Sequence, residues 1–148
     1  MAIVPFDGET TKGLVGQHAN SEEWNAITRL ADGDPIGFGQ PVYRGAEDGV
    51  CTAAANDNFL GVTRYRIDVD PAEGYDMGGH VSIMTMGVMY VAAGDDVVAG
   101  DPAQYDAVTD RWGSGDDIPG VEYETSGGDG DIIKIRINKQ SNTASGDD

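Results

Sequence analysis

Few side chains in this chain of 148 residues could carry out nucleophilic or metal chemistry. Cys51 is the only cysteine, and the two histidines, His18 and His80, lie far apart in the sequence. Neither histidine belongs to an HExxH zinc motif, and there is no Gly-x-Ser-x-Gly nucleophile elbow. A Cys51–His80–Asp triad can be drawn, but the surrounding sequence GVCTAAAND has no signature of a cysteine nucleophile. We therefore predict that the chain is not an enzyme and that Cys51 is a small buried strand residue.

Aspartates are the other candidate ligands. They are frequent between residues 95 and 117, and GGDGD follows at residues 127–131. The spacing of an EF-hand is absent, however, and Asp-Gly pairs are ordinary turn residues. No glycine-rich loop leads into a predicted helix, which removes the physical basis of a nucleotide site. We predict no cofactor and no metal site, with a weak surface cation site as the alternative.

The charge of the chain excludes some partners. It has 26 acidic and 9 basic residues, a net charge of −17. Such a surface repels phosphate backbones, so we predict no direct contact with nucleic acid. Residues 77–94 are uncharged and just long enough for a membrane span, but their alternate spacing favours a strand, so we predict no membrane contact. The N-terminus MAIVPFDGET does not have the pattern of a secretory signal.

Short runs of β-branched and aromatic residues, separated by turn signals, predict an all-β fold. We expect a compact β-barrel or sandwich of short antiparallel strands, with an N-terminal arm and a C-terminal hairpin. VEYET and IIKIRIN alternate apolar and charged residues, and they form the hairpin, whose Glu and Lys/Arg side chains can pair across the strands. The predicted division is an arm over residues 1–32, a β-domain over residues 33–138 and a disordered acidic tail over residues 139–148.

The stretch HVSIMTMGVMYVAA, residues 80–93, is apolar on both alternating faces. A sheet that is wet on one side alternates apolar and polar residues, so the second face of this strand must be covered, by a second sheet or by another chain. Methionines 77, 84, 86 and 89 cluster here. Such a cluster favours a place in the core, with a patch between subunits as the alternative.

The segment NSEEWNAITRLADG allows two structures. Trp24, Ile27 and Leu30 have helical spacing, but so short a helix is marginal without packing, and an extended arm lying on a neighbour is the alternative. Trp24 and Trp112 lie in irregular flanking segments, where a large aromatic residue is often an interface anchor. GQPVY and GDPAQY, which begin at Gly39 and Gly100, are a weak sign of an internal repeat.

Five glycine-containing motifs occur in a fixed order: GLVGQ, IGFGQPVYRG, FLGVT, GGHVSIMTMGVMYV and VVAGDPAQYD. This order, which covers about residues 13–106, resembles the cement, or head-decoration, proteins of tailed bacteriophage capsids. The resemblance implies a structural protein on the outside of the assembled shell, clustered around three-fold or quasi-three-fold positions, that braces the shell against the packaged genome. It supplies no catalytic residues, and it favours the extended arm around Trp24.

From this resemblance we expect the virion, at the outer surface of the capsid, as the location. The expected partners are the major capsid protein and other copies of the chain, as a homotrimer or three-fold cluster. The predicted capsid or intersubunit contact residues are Leu14, Val15, Trp24, Ile27, Leu30, Met84, Met86, Met89, Tyr90 and Trp112. Two rival interpretations are an extracellular β-sandwich adhesion or fibre module with weak calcium binding, and a small acidic enzyme from a high-salt organism.

Overall fold

Nine β-strands make up the regular structure in the computed structural model, which describes residues 14–19, 24–33, 35–70 and 72–138. The strands are β1 (Asn25–Ala31), β2 (Pro41–Arg44), β3 (Val50–Thr52), β4 (Phe59–Thr63), β5 (His80–Ala92), β6 (Pro102–Asp106), β7 (Arg111–Trp112), β8 (Asp116–Tyr123) and β9 (Ile132–Asn138). These residues contain no helix, and hence none that is long and apolar enough to cross a membrane. The predicted all-β fold is confirmed.

The first five strands close into a barrel. Their order is β1-β3-β2-β4-β5, and β1 also pairs with β5, which completes the ring. The pairing of β1 with β5 is antiparallel, with Ile27 opposite Ile83, whereas β1 and β3 are parallel, with Ala31 opposite Cys51. The other four strands, β9-β8-β6-β7, extend the sheet from the second half of β5. The fold is thus a barrel with additional strands, and β5 belongs to both parts.

The strand β5 contributes to two core clusters along its length. Val81 and Ile83 belong to a cluster inside the first five strands. Met84, Met89 and Val91 belong to a larger cluster, to which β6, β7, β8 and β9 also contribute. Of the second alternating face, Met84 and Val88 are buried, whereas Ser82, Met86 and Tyr90 are half-buried. The predicted cover of this face is therefore present at Met84 and Val88, where the chain's own residues supply it.

Residues 25–31 fall inside the predicted arm but form a strand of the barrel. β1 pairs with β5 along most of its length, and Ile27 packs against the first core cluster. The helical alternative for this segment is wrong, because backbone pairing with two strands outweighs a short helix that is marginal on its own. The segment is extended, as in the alternative prediction, but it pairs with strands of its own chain and not with a neighbour. Residues 1–13 and the predicted tail, residues 139–148, lie outside the described residues.

The C-terminal hairpin has the predicted apolar and charged faces. Val121 pairs with Ile137 and Tyr123 with Ile135, and all four side chains are buried. On the other face, Arg136 Nε donates to Glu124 Oε1 at 2.9 Å. This ion pair is partly exposed, so its contribution to stability is at most about 1 kcal/mol.

The second half of the chain repeats the pairing pattern of the first half. We call β1 to β4 with the first half of β5 the first unit, and the second half of β5 with β6 to β9 the second unit. In each unit the first strand is parallel to the third and antiparallel to the fifth, the second strand pairs with the third and fourth, and the fourth pairs with the fifth. The weak sequence sign of a repeat therefore corresponds to a real structural repeat.

Backbone hydrogen bonds fix the correspondence between the two units. Ala31 N donates to Gly79 O at 2.9 Å, and Ala93 N donates to Asp131 O at 2.9 Å in the matching place. Two reciprocal pairs also match, namely Ile36 with Tyr75 and Val97 with Gly127. Ala31 thus corresponds to Ala93, and positions along β1 correspond to positions along the second half of β5.

Buried thiol and phenol groups make the stability of the fold depend on pH in the alkaline range. Burial raises the pKa of Cys51 to about 11 and that of Tyr75 to about 12. Burial also raises the pKa values of Tyr43, Tyr105 and Tyr123. The unfolded chain loses these protons first, near about pH 9 for the thiol and about pH 10 for the phenols. The stabilisation is therefore complete below about pH 9 and is lost as the pH rises through the folded-state pKa values.

We expect the free energy of unfolding to fall steadily between about pH 9 and about pH 12. Denaturant midpoints measured across this range, together with tyrosinate absorbance of the native protein, test the expectation. A midpoint that stays constant up to about pH 11 would contradict it, because the unfolded tyrosines are ionised there.

Candidate functional site

Three of the predicted contact residues lie in the core. Met84 and Met89 are fully buried, and Trp112 is 1% exposed. The chain's own side chains cover them, so they offer no surface to a partner, and we withdraw them as contact residues. Met84 and Met89 take the core position that was favoured for the methionine cluster, whereas Met77 is exposed in a turn.

The other predicted contact residues lie at or near the surface. Leu14 is 54% exposed, Leu30 39% and Trp24 36%. Four further residues are half-buried: Val15, Ile27, Met86 and Tyr90. The exposed residues come from the first segments of the chain, which makes these segments the starting point for a contact surface.

Residues 14–19 begin with a turn, in which Gln17 N donates to Leu14 O at 3.0 Å, and continue as a short bridge to β5; we call these residues the N-terminal strip. It lies along the second half of β5, with His18 bridged to Met89 in antiparallel orientation. Gly16 N donates to Tyr90 O at 2.8 Å, and Tyr90 N donates to Gln17 O at 2.9 Å. These backbone bonds place Leu14 and Val15 at the surface in fixed positions.

Leu14 and Val15 line an apolar groove together with Phe38 and Tyr65. The groove has a volume of about 200 Å³. Phe38 and Tyr65 meet edge to face, with ring centroids 5.3 Å apart, and Tyr65 N donates to Gly16 O at 2.9 Å. A surface hollow of this size, with rigid aromatic walls, can accept one apolar side chain of a partner.

A second feature is a stack of three side chains, Arg64, Trp24 and His18. The guanidinium carbon of Arg64 lies 4.3 Å from the centroid of the Trp24 ring, which in turn stacks on His18 at 4.9 Å. Gly87 allows this approach, since a Cβ at this position would lie 2.8 Å from Trp24 Cβ. We call these three side chains the cationic stack. It lies close to the groove in the chain, because His18 is on the same strip as Leu14 and Arg64 directly precedes Tyr65.

Arg64 retains unused hydrogen-bonding capacity. Its Nη1 donates to Ser82 Oγ at 3.1 Å, but its Nε has no hydrogen-bond partner in the part of the chain that is described. Burial lowers the pKa of Arg64, but an arginine side chain stays charged in proteins. No carboxylate of the described residues forms an ion pair with Arg64. The Nε atom is buried, so an acceptor on another molecule would have to approach the guanidinium at its Nη atoms.

The described residues show no arrangement for catalysis or metal binding. Within them, no group of three or more His, Cys, Asp or Glu side chains could hold a metal ion. Cys51 is buried in the first core cluster, as predicted for a small strand residue, and its raised pKa keeps the thiol protonated at neutral pH. His18 takes part in the cationic stack.

The sequence did not predict a contact role for four residues of the groove and the stack: Phe38, Tyr65, Arg64 and His18. Phe38 and Tyr65 come from different connections, after β1 and after β4, and only the fold brings them next to the N-terminal strip. The one local signal was the combination of an aromatic residue and an arginine in Arg64–Tyr65, directly after the buried strand FLGVT.

Comparison with known proteins identifies the family. The family model described as structural cement protein (E217 gp24/Pam3 gp6) matches residues 6–138, so the match extends past the predicted 13–106 and includes the hairpin. The fold is similar to that of a chain in the capsid of Myoviridae phage XM1, with a TM-score of 0.66 and 14% identity, over 92% of this chain and 99% of that chain. It is also similar to the N base of the head fiber gp8.5 of bacteriophage phi29, with a TM-score of 0.44 and 14% identity, over 78% of this chain and 94% of that chain. No curated protein matches the chain significantly. Since the family model covers most of the sequence, the chain belongs to the family of phage structural cement proteins.

Proposed function

We propose that this protein binds the outer surface of an assembled phage head and stabilises the head against the pressure of the packaged genome. Membership of the cement family supports this role. A protein that binds only the assembled shell stabilises it by mass action, by about 2.7 kcal/mol per site at a free concentration one hundred times the dissociation constant. Because many copies bind one head, modest sites add up to a large effect.

The apolar groove and the cationic stack are the proposed contact surface with the major capsid protein. The observation that carries this assignment is the exposure of Leu14, on a strip held in place by backbone bonds, and of Trp24, directly before β1. Tryptophan and arginine are the residues most often found at the energetic centres of interfaces, and Arg64 lies directly over the Trp24 ring. The contact would place an apolar side chain of the shell in the groove and an acceptor group near Arg64.

The distribution of charge supports an orientation with the second unit away from the shell. Residues 87–138 contain eleven acidic and three basic residues, while residues 24–86 contain nine acidic and four basic residues. An acidic surface is tolerated on the outside of a head, but it is repelled by packaged DNA. The absence of direct nucleic-acid contact is part of this proposal.

We further propose that bound copies form homotrimers or three-fold clusters on the shell. A contact that joins different surfaces of two copies generates a closed ring when the rotation between the copies is that of a cyclic group. Clustering also raises the effective concentration of each copy for its neighbours, which offsets the mutual repulsion of the acidic chains.

Leu14→Asn and Trp24→Ala should each weaken binding to empty shells about 10-fold or more, which corresponds to roughly 1.4 kcal/mol or more. Leu14→Asn removes an apolar edge of the groove, and Trp24→Ala removes the ring beneath Arg64. Co-sedimentation with shells measures the binding. Val108→Asn is the matched control, because Val108 is an exposed apolar residue in the turn between β6 and β7.

Wild-type protein that fails to co-sediment with shells would refute the proposed function. If the wild type binds but both variants bind as tightly as the Val108→Asn control, the function stands and the contact surface is wrong.

The stabilising role is tested by heating DNA-filled heads. Heads that carry the protein should release DNA at a higher temperature than heads without it, and equal release temperatures would contradict that role.

A further inference from the structure

The connection between β4 and β5 is longer than the equivalent connection in the second unit. Arg64 and Glu124 correspond, because each donates its backbone N–H, over 2.8 Å, to the third residue of the strand that follows. At the other end of the connection, Tyr75 corresponds to Gly127. Ten residues lie between these matched positions in the first unit, but only two in the second. The first unit thus carries an insertion of eight residues, which the pairing of the strands does not require.

Packing and hydrogen bonds hold the described residues of this longer connection, residues 65–74, in place. Val69 packs against the first core cluster. Gly74 N donates to Asp70 O at 2.8 Å. Gly74 has a positive φ of 73°, and a Cβ there would overlap Ile36 O, so the connection lies directly on the barrel. A connection of this length without regular secondary structure usually serves a function when it occurs in a compact domain.

The connection lines a surface hollow of about 430 Å³, which we call the β4–β5 hollow. Its charged lining consists of four carboxylates and one guanidinium: Asp68, Asp70, Glu73, Asp76 and Arg66. The Arg66 guanidinium is already paired, since its Nη2 donates to Asp68 Oδ2 at 2.6 Å. No cation of the described residues pairs with the other three carboxylates. The hollow therefore carries negative charge that the described part of the chain does not compensate, and its walls concentrate the field of that charge.

The β4–β5 hollow adjoins the apolar groove of the proposed contact surface. The Phe38 ring meets the Tyr65 ring of the groove at 5.3 Å and the Tyr75 ring, which lines the hollow, at 5.5 Å. Two exposed apolar residues directly neighbour lining residues in the chain, namely Ile67, 90% exposed, and Met77, 70% exposed. A partner surface that fills the groove would therefore also reach the hollow.

We propose that the β4–β5 hollow receives a basic side chain, a lysine or an arginine, of the major capsid protein when this protein binds the shell. The assignment rests on the proposed function and specifies the chemistry of the partner at a second point of the same contact surface. Charge complementarity selects the occupant, because the only cation in the lining is already paired with Asp68. Ile67 and Met77 offer apolar contacts to the partner surface around that side chain.

This chain is itself a poor source of such a basic group. The residues outside the described ranges include seven acidic residues and only two basic ones, Lys12 and Lys139. A second copy would bring a net charge of −17 to the contact, which opposes its approach to an acidic hollow. Packaged DNA is repelled for the same reason. The shell protein is therefore the occupant that the charge favours.

The double variant Glu73→Gln with Asp76→Asn tests the proposal in the full-length chain, since it removes two unpaired charges and keeps the side-chain size. Asp101→Asn with Glu122→Gln is the matched control, which makes the same changes at two exposed carboxylates of the second unit. Co-sedimentation with empty shells measures binding in about 0.1 M and about 1 M salt, where the Debye length falls from about 10 Å to about 3 Å. We expect the double variant to bind about 10-fold or more weakly than the control at low salt, and the difference to fall to about 2-fold or less at high salt.

Equal binding of the double variant and the control at low salt would overturn the assignment, and so would a difference that persists at high salt. Melting temperatures of the free proteins test for an occupant from the same chain. We expect equal values, because the hollow is open until the shell is bound. A double variant that melts below the control would show that a basic group of the chain itself fills the hollow, which also contradicts the proposal. Shells that bind the wild type but do not distinguish the variants refute only the role of the hollow, whereas shells that do not bind the wild type refute the proposed function.

Discussion

Replacing Trp112 with alanine is expected to lower the free energy of unfolding by at least about 4 kcal/mol. Loss of a buried tryptophan side chain costs about 3–5 kcal/mol. The indole Nε1 also donates to Gly39 O at 2.8 Å, and an acceptor left unpaired in the core adds about 1–3 kcal/mol. The Tyr105 ring packs against the indole with centroids 5.1 Å apart. Since a domain of this size is stable by only about 5–15 kcal/mol, much of the variant will be unfolded at moderate temperature.

Denaturant unfolding followed by tyrosine fluorescence and circular dichroism measures the loss. Trp112→Phe is the control, because it retains most of the ring packing and removes the N–H, so its loss should be about half that of the alanine variant or less. A loss of less than about 2 kcal/mol for Trp112→Ala would mean that the core collapses around the cavity.

Trp112 matters to the contact surface although it is not exposed. Its hydrogen bond runs from the second unit to Gly39 of the first unit. A Cβ built on Gly39 would lie 2.6 Å from Val15 Cγ1, so this backbone lies directly beneath the N-terminal strip. The tryptophan predicted from sequence as an interface anchor is instead a support below the groove.

The features that the sequence predicts well are those whose pattern is local. The hairpin is readable because Val121, Tyr123, Ile135 and Ile137 alternate with charged residues, and alternation determines both the face and the register. The unusual apolar content of β5 correctly indicates that both faces of the strand are covered in part, because the adjacent residues Val88 and Met89, which point to opposite faces, are both buried.

The features that the sequence does not predict depend on contacts between distant segments. The closure of the barrel rests on β1 meeting β5 and β3, and the spacing of Trp24, Ile27 and Leu30 is equally compatible with a helix. A single sequence does not show whether residues 25–31 are more stable as a strand or as a helix, since each residue type in β1 suits either structure in isolation. The groove has the same origin, because Phe38 and Tyr65 become neighbours only after the barrel closes.

The two units differ at the outer edge of their first strand. In the second unit the N-terminal strip lies beside this edge and at the same time builds the groove with Leu14 and Val15. In the first unit only Leu30 and Ala31 pair with a strand, β3, on that edge within the described residues.

Gly61→Ala is expected to destabilise the protein by about 3 kcal/mol or more, at the upper end of the cost of overpacking a core. Gly61 lies in β4, whose five residues are all buried, between β2 and β5. A Cβ at this position would overlap the carbonyl oxygen of Met84 and lie 2.8 Å from Ile83 Cγ2. The Met84 oxygen is backbone, so no rotamer change relieves the overlap, and the two central strands of the barrel must move apart.

Gly49→Ala separates this steric effect from the general cost of replacing a glycine. Gly49 has a positive φ of 78°, but a Cβ there meets nothing within 4 Å. Its replacement should therefore cost only the conformational penalty of about 1–2 kcal/mol. Thermal and denaturant unfolding of both variants gives the comparison. If Gly61→Ala is no less stable than Gly49→Ala, then β4 and β5 can separate without loss. The close approach of these two strands would then not be what limits the barrel, and the two-sided burial of β5 would depend on side-chain packing alone.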